Sequence, residues 1–252
     1  MPTVFLSAEI FAYFLVFVRI AAMLSLMPAI GETNIPPQIR LALALVMALV
    51  MMPLVSDRLP AMPAATAALA WLIVGEILVG LFVGLTARLM MSALHLAGTI
   101  VAFQSGLAAA QSFDPSQGAQ SALMSRFFSL LGIVAIFAFD FHHVAIRAMA
   151  GSYMLFAPGA PLPLADAVQT IIAVVADSFA LGLQLAAPFL VYGMVFNIAL
   201  GLVARLMPQL QVFFIAMPAN IFLSFIILMF TISAMMLWFL TRFESQLSRY
   251  LL

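Results

Sequence analysis

The sequence predicts an all-α integral membrane protein that forms a single membrane domain over residues 1–252. Of its 252 residues, 66% are hydrophobic and 7% are charged, whereas soluble domains are about half apolar and about one quarter charged. The mean hydropathy is +1.24, and no stretch is polar enough to form a soluble domain. The apolar runs are continuous rather than alternating, which favours membrane helices over the strands of a β-barrel.

Seven apolar runs are predicted to be helices, and prolines separate most of them. The first is read as a retained helix, because no Lys or Arg precedes it and Arg19 interrupts it. Pro36 and Pro37 occupy a favoured helix start, and Pro53 is expected to end that helix. The predicted helices extend over Phe5–Met27, Gln38–Met52, Ala64–Phe103, Leu123–Phe139, Val144–Phe156, Leu164–Met207 and Ala219–Phe243.

Two of these helices have lengths that fit a bilayer poorly. The run from Gln38 to Met52 would rise about 22 Å, short of a hydrocarbon core about 30 Å thick. The run from Leu164 to Met207 would exceed about 60 Å if straight. Gly182 and Pro188 predict a kink or break near its middle. Half-length helices at membrane depth need protein or water around them, which indicates a larger assembly.

Charge and composition exclude several classes of function. Nine acidic residues balance nine basic ones, all of them Arg, so nucleic acid is not an expected partner. The chain has no Cys, and we find no nucleophile, phosphate-binding loop or acid–base pair at a diagnostic spacing. The protein is therefore expected to be no enzyme and to hold no cofactor. By the positive-inside rule, Arg242 and Arg249 place the C-terminus in the cytoplasm.

One predicted helix carries small and charged residues at every fourth position. They are Glu76, Gly80, Gly84 and Arg88. The two glycines have the small-xxx-small spacing that lets helix backbones approach closely. The two charges lie about 18 Å apart along the axis, too far to pair directly, so each needs a partner elsewhere. Helix packing and interchain pairing are the favoured interpretation, and a proton or ion relay is the alternative.

A similar spacing recurs in the sixth predicted helix, at Gly193, Asn197 and Gly201. Helix packing explains this pattern, with Asn197 as the hydrogen-bonding member.

A titratable cluster lies between the fourth and fifth predicted helices. Asp140, His143 and Arg147 would share one face if a single helix contained them, with His142 beside them. The cluster is interpreted as a helix end at the level of the lipid headgroups, with a pH-sensitive group as the alternative. A metal site is not expected, because adjacent His142 and His143 should point in different directions on a helix.

The most informative segment is the polar stretch QSGLAAAQSFDPSQGAQS at residues 104–121, which is rich in Gln, Ser and Gly. Its backbone groups could not face lipid without hydrogen-bond partners. Asp114 and Pro115 form a turn signal within it. The segment therefore lines water or lies inside protein, either as a functional loop or as an ordinary connection.

Four segments together resemble the FliR/SctT/SpaR family of type III export gate proteins, and the resemblance covers nearly the whole chain. These segments are RIAAMLSLMPAIGETNIPPQIR (19–40), the polar stretch 104–121, DFHHVAIRAMAGSYMLFAPG (140–159) and RLMPQLQVFFIAMPANI (205–221).

The resemblance implies a bacterial inner-membrane subunit of the flagellar basal body that forms a helical, pore-forming export gate with FliP-like and FliQ-like subunits. FlhB-like and FlhA-like components and exported flagellar polypeptides are further implied partners. Residues 1–163 would be FliP-like, and residues 164–252 would form a FliQ-like helical hairpin with a short tail.

The resemblance also places a pore plug in the loop 104–121. Gly106 and Gly118 would give the plug backbone freedom. Phe113 would be its apolar stopper, and Asp114 with Pro115 would form its turn. A secondary transporter of a small solute, with a midplane site at a helix broken around Pro188, is the alternative from another class. The lack of internal repeats argues against it.

Overall fold

The computed structural model describes residues 2–32, 34–107, 120–161, 163–207 and 212–251. Within these ranges the chain forms α-helices joined by short connections, with two 3-10 turns and no strand. The helices are α1 (Pro2–Leu26), α2 (Pro37–Val55), α3 (Thr66–Gln104), α4 (Gln120–Ala138), α5 (Phe141–Leu155), α6 (Leu164–Leu206) and α7 (Val212–Leu247), and the 3-10 turns are Ser56–Arg58 and Ser248–Tyr250.

Five of the described helices are long and apolar enough to cross a membrane, and a sixth candidate span consists of α4 and α5 on either side of a bend. The prediction of an all-α membrane protein is confirmed. Helix α3 has 39 residues and α6 has 43, which correspond to about 58 and 64 Å of helix. Both exceed a hydrocarbon core of about 30 Å.

Two prolines lie inside helices, which contradicts the prediction for Pro53 and one of the two outcomes predicted for Pro188. Pro53 does not end α2, which continues to Val55 and closes when the Ser56 N–H donates to the Met52 carbonyl. Of the kink or break predicted near the middle of α6, the break is absent, because the helix continues through Pro188 from Leu164 to Leu206, and the kink stays a prediction. A proline removes one backbone donor, whereas an unwound turn in apolar surroundings would leave several backbone groups without partners. Continuing the helix is therefore the less costly choice.

The chain forms two compact units whose segments alternate along the sequence. Unit 1 comprises Met1–Leu89, Phe139–Val174 and Phe243–Leu252, and unit 2 comprises Met90–Ala138 and Val175–Arg242. These boundaries come from packing within the chain. A division at residue 163 into FliP-like and FliQ-like parts concerns likeness to other proteins and stays a prediction.

The core of unit 1 lies along one face of α1. The α1 side chains of Leu15, Val16, Ile20 and Met23 are completely buried. Ala48 of α2 and Val83 of α3 are also completely buried. Small residues on α2 allow it to lie close to α1. The core of unit 2 is formed by large side chains with no exposed surface, namely Leu94, Phe128, Phe189 and Phe239.

Helices α6 and α7 expose most of their apolar surface. Only 17% of the α6 span and 22% of the α7 span are buried within the chain. The exposed side chains include Val191, Met194, Ile198 and Leu206 on α6, and Phe222, Met229, Phe230 and Trp238 on α7. Contiguous apolar surface of this extent is covered by lipid or by another protein.

Candidate functional site

The polar loop begins where α3 ends at Gln104. The Ser105 N–H donates to the Val101 carbonyl over 2.9 Å, and the Gly106 N–H donates to the Phe103 carbonyl over 3.2 Å. Gly106 has a φ of +77°, which a glycine adopts without the steric cost that a Cβ brings. The chain therefore leaves the helix at the position where the sequence places the start of the loop.

The remaining predicted plug residues lie outside the part of the chain that the structure describes. These are Phe113, Asp114, Pro115 and Gly118, all within residues 108–119. On the far side of the loop, α4 starts at Gln120. Both ends thus agree within two residues with the predicted limits 104–121.

A polar cluster in unit 2 holds the start of the loop, and we call Gln104, Tyr192 and Asn220 the loop anchor. The Asn220 side-chain N–H donates to the Gln104 carbonyl over 3.1 Å. The Tyr192 hydroxyl donates to Asn220 Oδ1 over 2.8 Å. These bonds connect α3, α6 and α7, so the last residue of α3 cannot move without breaking a bond to α7.

Two glycines make room for this anchor. A Cβ at Gly106 would lie 3.1 Å from Asn220 Nδ2, and one at Gly193 would collide with the Gln104 side chain. The predicted packing role of Gly193 thus has a partner, whereas Asn197 is exposed and Gly201 has open space within 4 Å of its Cβ position. The role of Asn197 in helix packing or interchain pairing stays a prediction.

The second polar site is a buried ion pair in unit 1. Arg19 Nε donates to Glu76 Oε2 over 2.6 Å, and its Nη2 donates to Glu76 Oε1 over 2.9 Å. The two side chains are 1% and 2% exposed. This two-point geometry is the strongest arrangement of an arginine and a carboxylate. Glu76 has its partner within the chain, so it needs no charge from a neighbouring subunit.

The C-terminal end of α5 completes the surroundings of this pair. Arg19 also donates to the carbonyls of Ser152 over 3.3 Å and Phe156 over 3.0 Å. Its guanidinium carbon lies 4.0 Å from the centre of the Tyr153 ring. Carbonyls at a helix C-terminus lack partners within the helix and carry partial negative charge. The pair therefore fixes α1, α3 and α5 to one another.

Gly80 and Gly84 explain how α3 approaches α1 closely enough to form the pair. A Cβ at Gly80 would collide with the Arg19 carbonyl and lie 2.7 Å from the Ala22 Cβ. One at Gly84 would lie 2.7 Å from the Met23 carbonyl. Arg88, the fourth member of the predicted ridge, is exposed. The glycines thus hold Glu76 beside Arg19, while Arg88 lies outside this contact.

Sequence reasoning missed Arg19, Tyr192 and Asn220. Arg19 was visible as a charge inside an apolar run, and Asn220 as an amide inside another. The signal in each case was a polar residue in a membrane helix, which requires a partner at the same depth. The identity of that partner was hidden by the sequence separations of 57 and 116 residues.

The titratable cluster differs from the predicted arrangement. Helix α5 starts at Phe141, and Asp140 precedes it with a φ of 60°. The expectation that His142 and His143 point in different directions is wrong, because their ring centres are 4.2 Å apart at an interplanar angle of 35°. Both histidines lie in the first turn of α5, directly after the left-handed residue Asp140.

Comparison with known proteins finds bacterial export proteins throughout. The family model for bacterial export proteins, family 1, matches residues 10–246. The chain is 40% identical over 231 residues to the flagellar biosynthetic protein FliR of Caulobacter vibrioides, covering 91% of this chain and 92% of that protein. It is 31% identical to the FliR proteins of Pectobacterium carotovorum and Bacillus subtilis, covering 83% and 88% of this chain and 79% and 86% of theirs.

Proposed function

Because the chain belongs to family 1 of the bacterial export proteins, we propose that it is a subunit of the export gate of the flagellar type III secretion apparatus. It forms, with FliP-like and FliQ-like subunits, the channel through which unfolded flagellar polypeptides cross the bacterial inner membrane. FlhB-like and FlhA-like export components are its further partners. Residues 1–163 correspond to a FliP-like part and residues 164–252 to a FliQ-like hairpin.

The surface of α6 and α7 supports assembly with other helical subunits. Their spans are 17% and 22% buried within the chain, although each is longer than a bilayer core is thick. Apolar helix that extends beyond the lipid would face water unless neighbouring protein covered it. Packing against the helices of FliP-like and FliQ-like subunits removes the cost of exposing apolar surface to water along the whole length of both helices.

The loop 104–121 acts as the plug of this channel. The observation that carries this proposal is the loop anchor, in which Asn220 and Tyr192 hold the last residue of α3 by hydrogen bonds. A fixed start on an otherwise apolar scaffold directs the polar segment to one place. In this proposal Phe113 is the apolar stopper of the pore, Asp114 and Pro115 form the turn of the plug, and Gly106 and Gly118 give it backbone freedom.

The plug is tested by removing it without disturbing the anchor. Deleting residues 108–119 spares Gln104, Gly106 and all described residues of α4. The assembled complex carrying this deletion, reconstituted in a planar bilayer, should conduct ions while the wild-type complex stays closed. A matched control replaces residues 108–119 by Gly and Ser at equal length, which separates loss of the stopper from loss of length. Unchanged conductance in a fully assembled deletion complex would refute the plug.

No structural observation favours the transporter. Its midplane site required a break near Pro188, and α6 continues through that residue. The polar side chains of the loop anchor and the ion pair already bind one another. These two clusters of described residues therefore do not offer their polar groups to a solute.

A further inference from the structure

The bend before α5 brings together three side chains that can bind a metal ion. Asp140, His142 and His143 each offer one ligand atom, and all three atoms lie within 4.8 Å of one another. Asp140 Oδ1 lies 3.9 Å from His143 Nδ1. We propose that these residues bind one divalent first-row transition metal ion, of which Zn²⁺ is the probe, at the N-terminus of α5.

The spacing suits such an ion after a small adjustment. Zinc bonds to imidazole nitrogen and carboxylate oxygen are about 2.0–2.2 Å long, so ligand atoms around it lie about 3.3 Å apart. The three ligand atoms, now within 4.8 Å of one another, would have to move closer together, and rotation of the side chains is enough for this. The Asp140 and His143 side chains are 76% and 61% exposed, so both can rotate freely and an ion can reach them from water.

The backbone predisposes the cluster to this arrangement. Asp140 has a φ of 60°, a left-handed conformation that is uncommon outside glycine but several-fold enriched for Asp and Asn. The His143 N–H donates to the Asp140 carbonyl over 3.0 Å, which ties residue 140 to the first turn of α5. The two imidazole rings then lie side by side, with centres 4.2 Å apart.

The ligand chemistry selects the class of ion. Two imidazoles with one carboxylate suit Zn²⁺, Cu²⁺, Ni²⁺ or Co²⁺, whereas Ca²⁺ and Mg²⁺ prefer oxygen ligands throughout. The carboxylate also supplies a negative charge that offsets the positive end of the α5 dipole. Arg147, one turn further on, lines a separate cleft with Arg58 and Tyr153 and is no ligand. Water would fill the remaining positions.

The site is tested on the full chain purified with its partner subunits through a tag that contains no histidine. Titration of Zn²⁺ against a chromophoric chelator should give one ion per chain. His142→Ala, His143→Ala and Asp140→Asn should each weaken binding by about tenfold or more, since even outer partners of metal ligands change affinity by about 10–100-fold. His95→Ala is the matched control, because His95 is an exposed histidine on α3, and it should bind as the wild type does.

Two outcomes would overturn the proposal. One is wild-type affinity in His142→Ala or His143→Ala, and the other is loss of binding in His95→Ala. A second measurement on the wild type needs no variant. Electron paramagnetic resonance of bound Cu²⁺ should show coupling to two imidazole nitrogens, whereas coupling to one or none contradicts the assignment.

Discussion

Removing one partner of the buried ion pair should destabilise the protein far more than removing both. In Glu76→Leu, Arg19 stays buried, keeps its bonds to the two α5 carbonyls, and loses both bonds to the carboxylate. Breaking a buried pair in this way costs about 3–5 kcal/mol, because one charge is left without compensation. Replacing both members by apolar residues of similar volume is often neutral or stabilising.

This magnitude predicts a measurable change in thermal stability. In a chain of 150–250 residues, each kcal/mol lowers the melting midpoint by about 2–4 °C, so Glu76→Leu should lower it by about 6–20 °C. The double variant Arg19→Met with Glu76→Leu should recover most of that loss. The assay is thermal denaturation of the purified complex in one detergent, followed by size-exclusion chromatography of the fluorescently tagged chain.

The control for this test is a charge on the same helix that is not buried. Arg88→Met removes a charge that is exposed within the chain from the same helix and should cost far less than Glu76→Leu, because it leaves no buried charge without compensation. A melting midpoint for Glu76→Leu equal to that of the wild type would show that Arg19 does not depend on this carboxylate. A double variant no more stable than Glu76→Leu would show that apolar packing cannot replace the pair.

Two further predictions each compare a residue in a close contact with a control residue of the same type. Gly80→Ala should destabilise the protein by about 1–3 kcal/mol, because its Cβ would collide with the Arg19 carbonyl. Gly75→Ala, whose Cβ would have nothing within 4 Å, should stabilise it by about 0.5–1 kcal/mol. Equal melting midpoints for the two variants would contradict the close contact. Asn220→Ala should cost about 1–3 kcal/mol by leaving the Gln104 carbonyl unpaired and should raise ion leakage through the assembled complex. The exposed Asn197→Ala should change stability by about 0.5 kcal/mol or less and should leave ion leakage at the wild-type level. A tight pore in Asn220→Ala would separate the anchor from the plug.

The helices were predictable because burial in lipid imposes long apolar runs, and these runs need no information about neighbours. The ends of the helices were less predictable. Pro53 and Pro188 have the same local signal as Pro36 and Pro37, yet both lie inside helices. Whether a proline ends a helix depends on what the freed carbonyl meets, which is decided by packing.

For the polar contacts too, local features were predictable from the sequence and long-range partners were not. The four-residue spacing of Gly80 and Gly84 indicated a close helix contact, because that spacing is local. Which helix they contact was not visible, since Arg19 and Glu76 are 57 residues apart in sequence. The direction of the His142 and His143 rings was misjudged for another reason, because backbone positions on a helix do not fix the side-chain rotamers that bring the ring centres within 4.2 Å.

Composition of the native complex tests the export-gate proposal most directly. The measurement is purification of the tagged chain from its native host in mild detergent, followed by mass spectrometry of every protein that stays bound. We expect FliP-like and FliQ-like membrane subunits in fixed ratio to the chain. A stable preparation of the chain alone, as monomer or homodimer, would contradict it.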